Sequence, residues 1–210
     1  MNTLIYTVQI MNTKQKEETA TLEILQAIEN KRDVTQRHLA DRLDVALGLT
    51  NSYLKRSVRK GLVKIQQAPA NRYFYYLTPQ GFAEKSRLTA QYLSTSFDFY
   101  RQASDSLRKV FEKCHKNDWN EIVFCGISEL AEIASLRVNE FGLTHVATYQ
   151  PHSELEEFLH KPVWYELTEE VEKNVVVLTS LDNSEEMYRE INKKVEKEKI
   201  LIPTILGIKI

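Results

Sequence analysis

Asn51, Ser52, Lys55, Arg56 and Arg59 recur at three- and four-residue spacing in "LTNSYLKRSVRK". A helix there gathers them on one face, opposite Tyr53, Leu54 and Val58. Side-chain amides and hydroxyls pair with base edges, and lysine and guanidinium groups hold phosphate oxygens. A helix lying in a DNA groove needs this division between a packing face and a polar, cationic one. A solvated basic helix in a protein-binding module uses the same residue types, so both readings stay open here. Arg72, at the far side of a hairpin tip, can reach a phosphate or a minor groove.

A second group lies in "VFCGISELAEIA", residues 123–134, an apolar strand that turns at Gly126 into a helix. Set against the dinucleotide pattern G-x-G-x-x-G/A, the turn offers Gly126, Ser128 and Ala131. Ser128 stands where a glycine lets the backbone approach a pyrophosphate, and Tyr149 and Gln150 stand where a ribose-binding acid belongs. Ordinary NAD binding is therefore disfavoured. The candidate ligand residues are Gly126, Ser128, Glu129 and Tyr149, at the carboxyl end of the first strand. A nucleotide, coenzyme A, a nucleotide sugar, or no ligand on a structural or dimerising domain all stay open. Catalytic and metal residues are not assigned. The chain has no Tyr-x-x-x-Lys pair and no G-x-S-x-G elbow, and His145, His152 and His160 fit no standard zinc spacing. A non-enzyme is expected.

The elements that must position these groups are legible from periodicity. Leu22, Ile24, Leu25 and Ile28 mark a helix from Thr19. Thr35 is placed to cap "QRHLADRL", and Gly61 to end the helix that carries the polar face. "LVKIQQ" and "RYFYYLT" read as strands joined by "APAN". Three helices and a hairpin make the winged helix-turn-helix order. From Gln80 to about Lys116, Phe82, Leu88, Tyr92, Leu93, Phe97, Tyr100, Leu107, Val110 and Phe111 recur as in one or two helices, suited to dimerisation or to packing against the second domain. Strands "EIVFCG", "THVATYQ", "VVVLTS" and "ILIPTI" then alternate with helices "SELAEIASLRVNEF" and "SEEMYREINKKVEKEK", which argues for a parallel sheet. The expected class is α/β overall. It comprises an N-terminal extension (1–17), a winged helix-turn-helix (18–78), a linking helix (79–117) and a small Rossmann-like parallel α/β domain (118–210).

The totals narrow the partners. Residues 1–90 carry 14 basic and 8 acidic side chains, residues 91–210 carry 14 and 21, and the whole has a net charge of -1. A basic half beside an acidic one suits a polyanion for the first. No apolar run nears a membrane span, and "MNTLIYTVQIMNTKQ" lacks the marks of a secretory signal. Met11 can serve as a start as well as Met1, and the stretch before it reads as a loose extension or a small strand. Two cysteines make no disulfide framework, so a cytoplasmic protein is expected.

"VTQRHLADRLDVALGLTNSYLKRSVRKGLVKI" followed by "YFYYLTPQGFAEKSRLTAQYL" resembles the winged-helix regulators of the MarR type. The resemblance covers residues 18–95 and is nearest the group associated with exopolysaccharide and lipopolysaccharide gene clusters. It implies promoter DNA as partner and a homodimer built by the helix after the wing. Such proteins usually have serine where Ala46 stands, so the cap of the third helix must come from Asp44 or be absent. Residues 119–205 resemble the Rossmann-like domains of coenzyme-A-binding proteins and nucleotide-sugar enzymes. In them "FLHKPVWYEL" is similar to a G-x-P-V segment, with His160 in the glycine's place. The domain order is similar to that of the redox-sensing Rex repressors. Together the resemblances imply a dimeric, DNA-binding transcriptional regulator whose second half senses a nucleotide-type metabolite of envelope polysaccharide synthesis. The alternatives are a nucleotide-sugar or cofactor enzyme with a DNA-binding appendage, and a protein-binding adaptor.

Overall fold

The computed structural model describes residues 13–31, 34–68 and 72–208, so the expectations for residues 1–12 lie outside the described residues. The chain divides into two compact units, Asn2–Ser96 and Phe97–Ile210. In the first, α1 (Thr13–Asn30), α2 (Gln36–Leu43) and α3 (Leu47–Arg59) precede a hairpin of β1 (Val63–Ala68) and β2 (Arg72–Leu77). The first helix thus starts six residues before Thr19, and the N-terminal extension is shortened accordingly. Ile24, Leu25 and Ile28 of α1 meet Leu39 of α2, Leu54 of α3, and Leu62, Val63 and Tyr75 of the hairpin in one core.

Caps set the helix ends. Thr35 Oγ1 accepts from the His38 N–H at 3.1 Å and starts α2. Asp44 adopts φ 50° and closes that helix, so it does not cap the next one. Ala46 makes no side-chain cap bond to α3, which begins uncapped, one of the two outcomes the sequence allowed. At the other end Gly61 takes φ 71°, with Gly61 N–H donating to Val58 O and Leu62 N–H to Ser57 O, both at 2.9 Å. That pairing of last carbonyls is the Schellman motif.

The segment "LTPQGF" then starts α4 (Pro79–Lys116), a single helix of 38 residues where one or two were expected. Thr78 Oγ1 accepts from the Gly81 N–H at 3.0 Å and donates to Gly61 O at 2.6 Å. Pro79 lacks the N–H that a first helical turn leaves unused. A Cβ on Gly81 would lie 2.1 Å from Leu62 O, so only glycine lets α4 lie this close to the end of α3.

The second unit is built on a six-stranded sheet ordered β5-β6-β4-β3-β7-β8. Its strands are β3 (Glu121–Cys125), β4 (Thr144–Tyr149), β5 (Glu157–Phe158), β6 (Lys161–Trp164), β7 (Val175–Leu178) and β8 (Ile200–Leu201). All neighbours are parallel except β5, which runs antiparallel to β6. Counted along the chain, the parallel strands lie 3-2-1-4-5, the order of a doubly wound sheet. Residues of α4 from Ala103 to Cys114, with α5 (Glu129–Val138), cover one face. On the other lie α6 (Glu169–Lys173) and α7 (Ser184–Ile191). Both cysteines are buried, Cys114 in α4 and Cys125 in β3. No helix among the described residues is long and apolar enough to cross a membrane.

Three elements differ from expectation. The polar stretch after β4 contains the β5–β6 hairpin, whose turn residues Leu159 and His160 have φ 54° and 60°. Such a turn normally shows Asn or Gly, so no turn signal marks it. The helix expected over 184–199 stops at Ile191 and turns back, which buries Val195 and lets Lys194 Nζ donate to Leu167 O at 2.8 Å. The strand expected over 200–205 ends at Leu201. Pro203 has no N–H for a ladder, and the Ile205 N–H donates instead to Ser106 Oγ on α4 at 3.1 Å.

Two glycines make opposite predictions. Gly81→Ala must push two backbones apart and is expected to destabilise the protein by about 3 kcal/mol. Gly48 lies in α3 with nothing within 4 Å of an added Cβ, so Gly48→Ala should stabilise by roughly 0.5 kcal/mol. Thermal or urea melts of the two variants check both signs.

Candidate nucleic-acid interface

The polar face of α3 exists because its opposite face is committed to the core. Thr50, Leu54 and Ser57 are buried, and Ser57 Oγ donates to Tyr53 O at 3.1 Å inside the helix. Gly48, Ser52, Lys55 and Arg59 follow one another at spacings of four, three and four along the outer side. Ser52, Lys55 and Arg59 are exposed, and among the described residues no carboxylate pairs with Lys55 or Arg59. Asn51 is half-buried on the edge of this face, and its Oδ1 has no hydrogen-bond partner among the described residues.

Arg56 is placed differently. Its guanidinium is ion-paired with Glu17 of α1, and Lys60 Nζ reaches the other oxygen of the same carboxylate at 3.4 Å. The hydrogen bond from Arg56 holds the Glu17 carboxyl below the usual carboxylate range. The five residues grouped by spacing therefore separate into a free centre, Ser52, Lys55 and Arg59, with Asn51 at one edge and a clamped Arg56 at the other. Sequence reading missed Glu17, and no local pattern links it to Arg56 across 39 positions. Arg72 opens β2 opposite Ala68 and is placed by its backbone alone.

The turn after β3 is closed on itself. Gly126 has φ 113°, and a Cβ there would lie 2.3 Å from the backbone nitrogen of Ser180. The room that its glycine creates is thus filled by the chain's own β7 loop. Ser128 caps α5, its Oγ accepting from the Leu130 and Ala131 N–H groups at 3.1 and 3.3 Å and donating to Thr179 O at 2.5 Å. Gln150 Oε1 accepts from the Ile127 N–H at 3.0 Å. Glu129 lies at the same helix start. Burial raises its carboxyl above the usual range, and Glu132 and Asp182 add to the rise. The backbone of Tyr149 joins this turn, its carbonyl accepting from the Gly126 N–H at 3.0 Å. Its hydroxyl does not, donating instead to Glu190 of α7 at 2.6 Å within the other core. A dinucleotide pyrophosphate does not fit here: the N–H groups of Gly126, Ile127, Leu130 and Ala131 are taken, the glycine cradle is filled, and nearby carboxylates repel an anion.

The three histidines do not converge. His160 is exposed at the hairpin turn, and no group of His, Cys, Asp or Glu among the described residues is arranged to hold a metal. His145 is buried, stacked on Phe124 with ring centroids 4.1 Å apart. It directly precedes an irregularity in which Ile122 pairs with His145 but Val123 with Ala147, leaving Val146 as a bulge. The ring Nε2 lies 2.9 Å from Ala147 O and 3.1 Å from Thr148 Oγ1, tying that bulge together.

The family model described as winged helix-turn-helix DNA-binding matches residues 18–64. No curated protein matches the chain. Among solved structures, a MarR family transcription regulator is similar at 23% identity and TM-score 0.35, over 39% of this chain and 56% of that one. The MepR–DNA complex of S. aureus is similar at 20% identity and TM-score 0.36, over 44% of this chain and 64% of that one. The zinc-responsive MarR family member ZitR of Lactococcus lactis is similar at 19% and 0.34, over 46% and 64%. The chain thus spans less than two thirds of each of these proteins. Its N-terminal unit is a winged helix-turn-helix domain.

Burial lowers the His145 pKa from 6.5 to about 4. The unfolded chain therefore binds a proton near pH 6.5 that the folded chain refuses until about pH 4. Stability from this group is whole above pH 6.5 and falls as pH drops towards 4. Between pH 7 and pH 5 the protein should lose about 2 kcal/mol more than a His145→Gln variant does, measured by urea melts at both pH values.

Proposed function

We propose that this chain is a non-enzymatic, DNA-binding transcriptional regulator that works as a homodimer. The observation that carries the reading is the outer face of α3, where Ser52, Lys55 and Arg59 are exposed and no described carboxylate pairs with either cation. Lys55 and Arg59 hold phosphates or guanine edges, and Asn51 and Ser52 meet base edges. Arg72 adds a cation at the hairpin. The match of residues 18–64 to a DNA-binding winged helix-turn-helix family supports the assignment.

Dimerisation is assigned to α4. Phe82, Leu93, Phe97 and Tyr100 are exposed by 47%, 46%, 57% and 44% and follow at spacings of 11, four and three, which is one stripe of a helix. A two-fold axis through such a stripe would present two α3 helices to successive turns of a symmetric operator. For the C-terminal unit the closed turn at Gly126 favours a scaffold over a nucleotide sensor.

Duplex DNA binding should weaken steeply with salt. A Lys55→Ala/Arg59→Ala variant should keep its fold and lower the log–log salt slope by about 2, as two phosphate contacts disappear. An unchanged slope by fluorescence anisotropy removes α3 from the interface. Leu93→Glu/Phe97→Glu should halve the mass seen by light scattering and weaken binding to a palindromic site. A dimer that survives both charges is held elsewhere.

A further inference from the structure

We infer that Glu17 competes with DNA phosphates for Arg56 of α3 and for Lys60, which follows that helix directly, and thereby sets how tightly, and how salt-dependently, this chain holds DNA. The inference rests on the DNA-binding reading above. Arg56 and Lys60 are one helical turn apart, on the flank of α3 that meets the start of α1. A single carboxylate serves both: Glu17 Oε2 pairs with Arg56, and Oε1 accepts from Lys60 Nζ at 3.4 Å. Each clamped cation directly follows a free one in sequence, Arg56 after Lys55 and Lys60 after Arg59. The clamp therefore borders the face assigned to DNA.

Its exposure makes it displaceable. The side chains of Arg56, Lys60 and Glu17 are 37%, 56% and 27% open to solvent, so water already weakens their attraction. A phosphate backbone is a far denser line of negative charge than one carboxylate. DNA docking beside Lys55 and Arg59 would bring that line to the clamp. The carboxylate must then give up its cations or stay beside a phosphate of like charge. Other glutamates of α1 pair with cations outside α3: Glu23 with Arg42, Glu29 with Lys85 and Glu18 with Arg87. Among the ion pairs of the described residues, only Glu17 draws charge from the helix that faces DNA.

The test uses the full chain and a fluorescein-labelled duplex of random sequence, with anisotropy titrations between about 50 and 200 mM salt. Glu17→Gln keeps the side-chain shape and removes the charge. It should bind several-fold tighter at the low-salt end, with a log–log slope steeper by about 1 to 2. Arg56→Ala should be nearly silent in the native background, yet should cancel part of the gain when added to Glu17→Gln. Thermal melts verify that each variant folds. Unchanged or weaker binding by a folded Glu17→Gln overturns the inference. A roughly tenfold loss from Arg56→Ala alone also overturns it, whatever the fate of Glu17→Gln, because Arg56 would then hold phosphate with Glu17 present. If the native chain binds the duplex and Glu17→Gln does not differ, only the competition fails. If neither binds at the lowest salt, the DNA-binding reading fails and this inference with it.

Discussion

The backbone of Gly61 and Leu62 is the joint on which the N-terminal unit depends. Here α3 ends in its left-handed glycine, β1 begins, and the first turn of α4 lies against the Leu62 carbonyl. Thr78 holds the three together: its N–H donates to Leu62 O, its hydroxyl donates to Gly61 O, and the same oxygen accepts from Gly81. The end of α3 is thus anchored through backbone contacts. The beginning of α3 has no such anchor, since Ala46 supplies no cap. One helix therefore combines a fixed carboxyl end, carrying Lys55 and Arg59, with an amino end whose first N–H groups are left unspent by side chains.

The C-terminal unit uses a glycine for the opposite purpose. Gly126 is where a nucleotide-binding sheet would let a ligand approach, and here the chain approaches itself. Thr179 and Ser180 donate their N–H groups to Cys125 O at 2.8 and 2.9 Å, and Thr179 Oγ1 donates to Gly126 O at 2.6 Å. With Ser128 and Gln150 these bonds stitch the carboxyl ends of β3, β4 and β7 into one buried network. A network whose members satisfy one another rigidifies a fold and offers little to an incoming anion.

Local signals carried most of the fold. Thr35 and Gly61 announced a cap and a helix stop because each acts within a few residues of itself. Signals that depend on distant partners were silent. The β5–β6 turn was invisible because Leu159 and His160 hold a conformation that favours glycine or asparagine, with Leu159 packed against the core. The charged run after Ile191 was expected to continue α7, but the burial of Val195 bends it back. The α3 face was legible as five residues on a helical period. Its division into free and clamped cations was not, because Glu17 meets Arg56 only once α1 has packed. Tyr149 was placed near the right turn, yet strand alternation sends its hydroxyl to the face covered by α7.

The two buried cysteines bear on how such a chain can sense its surroundings. Burial pushes the Cys114 thiol up to about 11, and burial within β3 likewise raises Cys125 well above its ordinary value. Sulfur reacts with peroxides and electrophiles as thiolate, and neither residue offers one near neutral pH. Oxidant stress therefore has no chemical handle on this protein through its own cysteines. By the same token, a cysteine engineered onto the surface would be the only fast-reacting thiol, so a spectroscopic label could be attached without removing Cys114 or Cys125.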